Sequence, residues 1–148
     1  MAEIYNFVEV SDNLSTSGVI PLEHFPRLAR ESFTTLINLL PDGDNHAVEG
    51  EAGVVAELGL DYVYIPVDFA NPTSSDFDQF ARAMKSVHGQ KVWVHCAANY
   101  RVSAFVSTYG QLELGWSAEQ GQALIRQLWQ PNDVWQMFID GELVRGKP

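Results

Sequence analysis

An α/β fold on a mostly parallel sheet is predicted for this chain by three observations. Short β-rich runs alternate with stretches of helical periodicity through the middle of the sequence. One of those runs, "KVWVH" (91–95), is almost continuously apolar, as in a strand buried on both faces. Turn residues punctuate the alternation, with "PDGDN" at 41–45 and glycines at 59, 89 and 115. At 148 residues, one domain over 1–148 is expected. With 46% hydrophobic and 19% charged residues, the chain can build a core rather than stay disordered.

The elements follow in order. "NLSTSG" (13–18) is a polar extended stretch. Pro21 suits the entry of a helix over 21–31 that turns Leu22, Phe25 and Leu28 inward, although Pro26 is tolerated only near a helix start. "SFTTLINLL" (32–40) is rich in β-formers. Residues 46–58 read as a helix closed by Gly59, and "DYVYIPV" (61–67) as the next strand. Phe77, Phe80, Ala81, Met84 and Val87 mark a helix face within 71–89, with Thr73 or Ser74 as its cap. After "KVWVH", the residues Val102, Phe105, Val106, Tyr109 and Leu112 mark another helix, ending near Gly115. Ser117 with Gln120 is a capping-box pattern for a helix carrying Leu124, Ile125, Leu128 and Trp129. Pro131 breaks it, and "NDVWQMFI" (132–139) is a last short helix.

Charge and composition exclude several functions. Nine Lys+Arg against nineteen Asp+Glu give a net charge of -10, a field that repels nucleic acid and anionic membranes. No apolar run approaches a membrane span, and the N-terminus has no basic start followed by an apolar stretch. One cysteine forms no intramolecular disulfide, so a cytoplasmic location is expected. The histidines at 24, 46 and 88 show no metal-ligand spacing, so neither metal nor cofactor is expected.

The chemistry concentrates in "VWVHCAANYRVS" (92–103). A strand running through a tight loop into a helix N-terminus makes an anion site from free backbone N–H groups and the helix dipole. The same field favours the thiolate of a cysteine placed there, here Cys96. A thiolate can attack phosphorus, and an arginine such as Arg101 can bind two phosphate oxygens at once. A hydroxyl just inside the helix, Ser103, can donate to the sulfur and make it a better leaving group. The small Ala97 and Ala98 let backbone approach an anion, and Asn99 tolerates a left-handed conformation. The bland alternative is a packed strand-end cysteine, with His95 a core histidine bonded to backbone.

These residue types resemble the cysteine-dependent protein tyrosine phosphatases, particularly the small bacterial dual-specificity-like kind. "NLSTSGVIPLEHFPRLARESFTTLINLL" (13–40) and the run from Gly59 to Cys96 look like that family's opening and middle, so the resemblance covers about residues 13–129. The family signature is His-Cys, five residues, Arg, then Ser or Thr. Here Arg101 follows Cys96 after only four residues, with Val102 in the arginine's place. A shortened loop that still turns Arg101 inward is expected; a degenerate loop that points it elsewhere is the alternative.

The resemblance implies a three-layer sandwich with helices on both faces of the sheet and hydrolysis of a phosphomonoester through a phosphocysteine. It implies Cys96 as nucleophile, with Ala97, Ala98, Asn99, Tyr100 and Arg101 holding the phosphate. It also implies an aspartate acid after the strand preceding the cysteine strand, which selects Asp68 in "VDFANPT" (67–73). Asp42 and Asp44 are the runners-up, while Asp76 and Asp78 read as helix-dipole partners. The expected partner is a phosphorylated protein or a small phosphoester. A phosphate-binding module without turnover and a rhodanese-type sulfurtransferase are the competing readings.

Overall fold

A computed structural model describes residues 4–146. Among these residues the strands are β1 (Val8–Ser11), β2 (Leu14–Ser17), β3 (Thr35–Asn38), β4 (Asp61–Tyr64) and β5 (Val92–His95). The helices are α1 (Phe25–Arg30), α2 (Glu51–Glu57), α3 (Ser74–Ser86), α4 (Tyr100–Glu113), α5 (Ala118–Arg126) and α6 (Asp133–Arg145). The sheet order is β1-β2-β5-β3-β4, with β1 antiparallel to β2 and every other pair parallel. The strand that reads as doubly buried, β5, lies in the middle, paired with both β2 and β3.

The period of two along these strands makes the layers. Ile37 and Val94 face a core shared with Phe77 and Phe80 of α3, Phe105 and Tyr109 of α4, Ile125 of α5 and Trp135 of α6. Their neighbours Leu36 and Trp93 face a second core with Phe25 and Leu28 of α1 and Val55 of α2. The molecule is therefore a three-layer α/β sandwich. Residues 101–110 of α4 are all buried, which makes α4 the central helix of its layer. The mostly parallel order puts the C-terminal ends of β2, β3, β4 and β5 on one edge, where α/β sheets place their ligands.

Several elements differ from the sequence reading in extent. The helix expected over 21–31 divides into a 3-10 turn at Leu22–His24 and α1, where Pro26 sits in the first turn that can lack its N–H. Leu22 is exposed, while Phe25 and Leu28 are buried as read. The helix expected from 46 begins only at Glu51, because Asp44 caps the preceding turn by accepting the His46 N–H at 2.8 Å. The final helix runs to Arg145 rather than 139, continuing through Gly141. β1 is absent from the sequence reading. Thr73 is the cap of α3, its Oγ1 accepting from Asp76 N at 3.1 Å, and the expected capping box forms at Ser117, whose Oγ accepts from Gln120 N at 3.1 Å. Asp76 returns the bond to Thr73 N at 3.1 Å.

Candidate active site

β5 delivers His95 and Cys96 to the ligand edge of the sheet, and α4 starts four residues after Cys96, at Tyr100. The turn between them closes through Asn99, with φ 66° and ψ 13°. The N–H groups of Ala97, Ala98, Tyr100, Arg101 and Val102 have no hydrogen-bond partner among the described residues, as the first turn of a helix leaves them. Ser103 N–H is the first to bond within the helix, to Asn99 O at 3.0 Å. Outside the loop, Val19 N–H donates to Ala97 O at 3.0 Å. Glycine is required at position 18, since a Cβ there would lie 2.5 Å from Ala97 O.

Cys96 opens the loop, 1% exposed and part of the core beneath it, in a chain without a second cysteine. Arg101 is turned inward, 7% exposed. Its guanidinium carbon lies 5.3 Å from the centre of the Phe69 ring, and its Nη2 lies 3.7 Å from Asp44 Oδ2. The arginine thus sits between the loops that follow β3 and β4. Its Nε has no partner among the described residues. A buried N–H without a partner is uncommon and calls for an acceptor.

The acids differ in their surroundings. Asp44 Oδ1 accepts the His46 N–H at 2.8 Å and lies 3.0 Å from His46 Nδ1. The backbone bond, then the His46 side chain and the Arg101 charge, hold its carboxyl below the usual carboxylate range against some desolvation. Asp44 is therefore a charge partner for Arg101 and a poor proton donor. Asp68 is exposed, with Oδ1 accepting the Ala70 N–H at 2.9 Å. Its neighbour Phe69 is fixed from both sides, by the indole N–H of Trp135 donating to Phe69 O at 2.8 Å and by ring contacts with Trp129 and Trp135. That anchor holds the Asp68 loop beside Arg101. Asp42 is exposed, its N–H donating to Tyr64 Oη at 2.8 Å.

Ser103 is fully buried, and its hydroxyl is engaged in both directions. It donates to Tyr100 O at 3.0 Å and accepts from Trp129 Nε1 at 3.0 Å. Trp129 also stacks on Tyr100, with centroids 4.5 Å apart and 5° between planes. His95 bonds Cys96 O through Nδ1 at 3.2 Å, and its Nε2 lies 2.6 Å from Glu51 Oε2. Glu51 also accepts from Tyr62 Oη at 3.2 Å, whose phenol accepts from Asn38 Nδ2 at 2.8 Å. Burial keeps that phenol protonated by pushing it well above the usual range. Sequence reasoning missed Glu51, Phe69 and the Trp129 donor. A helical glutamate reads as solvated, and an aromatic in a loop reads as packing.

A model of the phosphatase-like domain of beta-lactamase hydrolase-like proteins matches residues 6–112. The chain belongs to this family. Its beta-lactamase hydrolase-like relative from Xylella fastidiosa (strain Temecula1 / ATCC 700964) is 32% identical over 97 residues, which is 64% of this chain and 22% of the relative. The match thus spans about a fifth of the curated relative's length. A DUF442 protein of Shewanella putrefaciens CN-32, named as a candidate phosphatase, superposes with a TM-score of 0.88 at 31% identity, covering 97% of this chain and 95% of that one. The core catalytic domain of the PP-IP phosphatase SIW14 from S. cerevisiae shares the fold, with a TM-score of 0.73 at 17% identity over 93% of this chain and 85% of that one. The phosphatase-like domain here has the fold of the cysteine-based, protein-tyrosine-phosphatase-like phosphatases. No helix among the described residues is long and apolar enough to cross a membrane.

Proposed function

We propose that this phosphatase-like domain hydrolyses a phosphomonoester, of a phosphoprotein or a small molecule, through a phosphocysteine. The observation that carries the reading is the buried Arg101 with an unpartnered Nε, at the start of a helix whose first amides, with those of Ala97 and Ala98, are free and which follows Cys96. A phosphate oxygen supplies the acceptor that Nε lacks, and the guanidinium fork holds a second oxygen. Cys96 Sγ attacks phosphorus, an S–P bond forms, and the ester P–O bond breaks. The leaving oxygen takes a proton from Asp68. Water then attacks the phosphocysteine, returning the thiolate and releasing inorganic phosphate.

The competing reading is a phosphate-binding module. It is favoured by the Ser103 hydroxyl, whose proton is directed to Tyr100 O and must turn before it can assist sulfur departure. Turnover of an aryl phosphate separates the two. The enzyme reading expects hydrolysis that Cys96→Ser abolishes while inorganic phosphate still binds the variant. Tight phosphate binding by the parent without turnover leaves the module. A parent that neither binds nor hydrolyses sinks both.

A further inference from the structure

Two asparagines 93 residues apart are joined at the back of the loop. Asn6 Nδ2 donates to Ala98 O at 2.9 Å, and Asn99 Nδ2 donates to Asn6 O at 2.9 Å. The Asn99 amide also donates to Thr16 Oγ1 at 2.9 Å. Both residues have positive φ, 51° at Asn6 and 66° at Asn99, where residues other than glycine are uncommon. Backbone carbonyls only accept, so both amides must present nitrogen to the opposite segment. Asn99 is fully buried with its Oδ1 unpartnered, so the amide there works through its donors alone.

The clasp has a definite consequence for the phosphate loop. Asn99 turns left-handed immediately before α4, and that turn starts the helix at Tyr100. Starting there makes Arg101 the second helical residue and places it against Asp44 and Phe69. Asparagine visits this conformation less readily than glycine, so something must hold it. Asn6 holds it at two points, gripping the carbonyl just before Asn99 and receiving the Asn99 side chain. β2 completes the hold through Thr16, and Gly18 N–H donates to Tyr5 O at 2.7 Å, tying the same N-terminal segment to the end of β2.

We propose that Asn6, far outside the signature, is a positioning residue that fixes the shortened loop and thereby the inward Arg101; this rests on the phosphate-loop reading. Asn6 touches no reacting atom in this scheme, and acts through Ala98 and Asn99. The test measures inorganic phosphate and vanadate affinity by calorimetry on the full chain, together with the melting temperature. The variants are Asn6→Asp, which keeps the shape but loses the donor, and Asn6→Gly, which keeps the φ and removes the side chain. Both Asn6 variants are expected to weaken oxyanion binding by about tenfold or more. KM for an aryl phosphate rises with the weakened binding. Asn6→Asp binding as well as the parent, at unchanged melting temperature, overturns the proposal and leaves the phosphate loop standing. If affinity falls only in step with the melting temperature, Asn6 is structural and the proposal also fails. A parent that binds neither oxyanion overturns the phosphate-loop reading itself, and the clasp's role with it.

Discussion

Two carboxylates reach the same edge of the sheet, and their neighbours differ. A general acid must carry a proton at working pH, and Asp44 is held ionised by His46 and Arg101. Asp68 has one N–H contact and open solvent. Asp68→Asn is expected to slow esters with poor leaving groups by ~10²–10⁴-fold and activated ones far less. Equal slowing of both classes removes Asp68 from that role. Asp44→Asn should instead tighten phosphate binding, because the carboxylate 3.7 Å from Arg101 competes with the incoming anion. The same residue fixes a pH effect. Its carboxyl is held below the usual carboxylate range, so its stabilisation is complete above that range and is lost as pH falls through the lowered folded value. Melts at descending pH should show the parent losing stability in that window and Asp44→Asn losing less. At Arg101 itself, lysine keeps the charge and loses the planar fork, so Arg101→Lys should impair vanadate binding nearly as much as Arg101→Ala.

At the scale of elements, α4 joins the loop to the rest of its layer. Trp129, just beyond α5, contacts it twice, by donating to Ser103 and by stacking on Tyr100. Trp129→Phe keeps a ring for stacking and removes the donor. The expected cost is about 1 kcal/mol, the net worth of one such bond, read by chemical denaturation. No change in midpoint would mean that water replaces the indole. The elements also show what a sequence carries. β5, α3, α4 and α5 were legible because their apolar spacing or capping residues are local signals, as were the cysteine, the arginine and the left-handed Asn99. β1 was not, because "VEVS" is four residues long with only alternate burial, on the sheet's edge. Nor was the Glu51–His95 contact, whose partners are 44 residues apart and meet only when α2 packs on the sheet. The Asn6 clasp was illegible for the same reason. Long-range polar pairs have no periodicity to read. The last helix was read too short, and it continues past 139 with Ile139 and Glu142 both buried.

Over the whole molecule, a buried polar pair joins the α2 layer to the central strand. Glu51, 5% exposed on α2, reaches His95, 1% exposed on β5, directly behind Cys96. Removing one member leaves the other buried without its partner, so Glu51→Ala should cost about 1–3 kcal/mol. No measurable loss by chemical denaturation would show that water enters and satisfies His95.

The charge of the whole chain sets how an anion arrives. A net -10 surrounds a site whose nearest fixed cation, Arg101, is buried and already faced by Asp44. An approaching phosphate dianion therefore meets repulsion at long range and attraction only on contact. The Debye length shrinks from about 30 Å at 0.01 M salt to about 8 Å at 0.15 M, which screens the distant acids but not a buried contact. Association of a dianionic ester, read as kcat/KM, should therefore rise with ionic strength over that range, with kcat little changed. Reversing an exposed acid remote from the loop, such as Glu57→Lys on α2, should raise kcat/KM at low salt, and the gain should vanish at high salt. The salt anion must be a weak competitor for the loop, and a neutral-headed substrate analogue serves as the control. A kcat/KM that falls steadily with salt would mean that local attraction extends into solvent and outweighs the net -10.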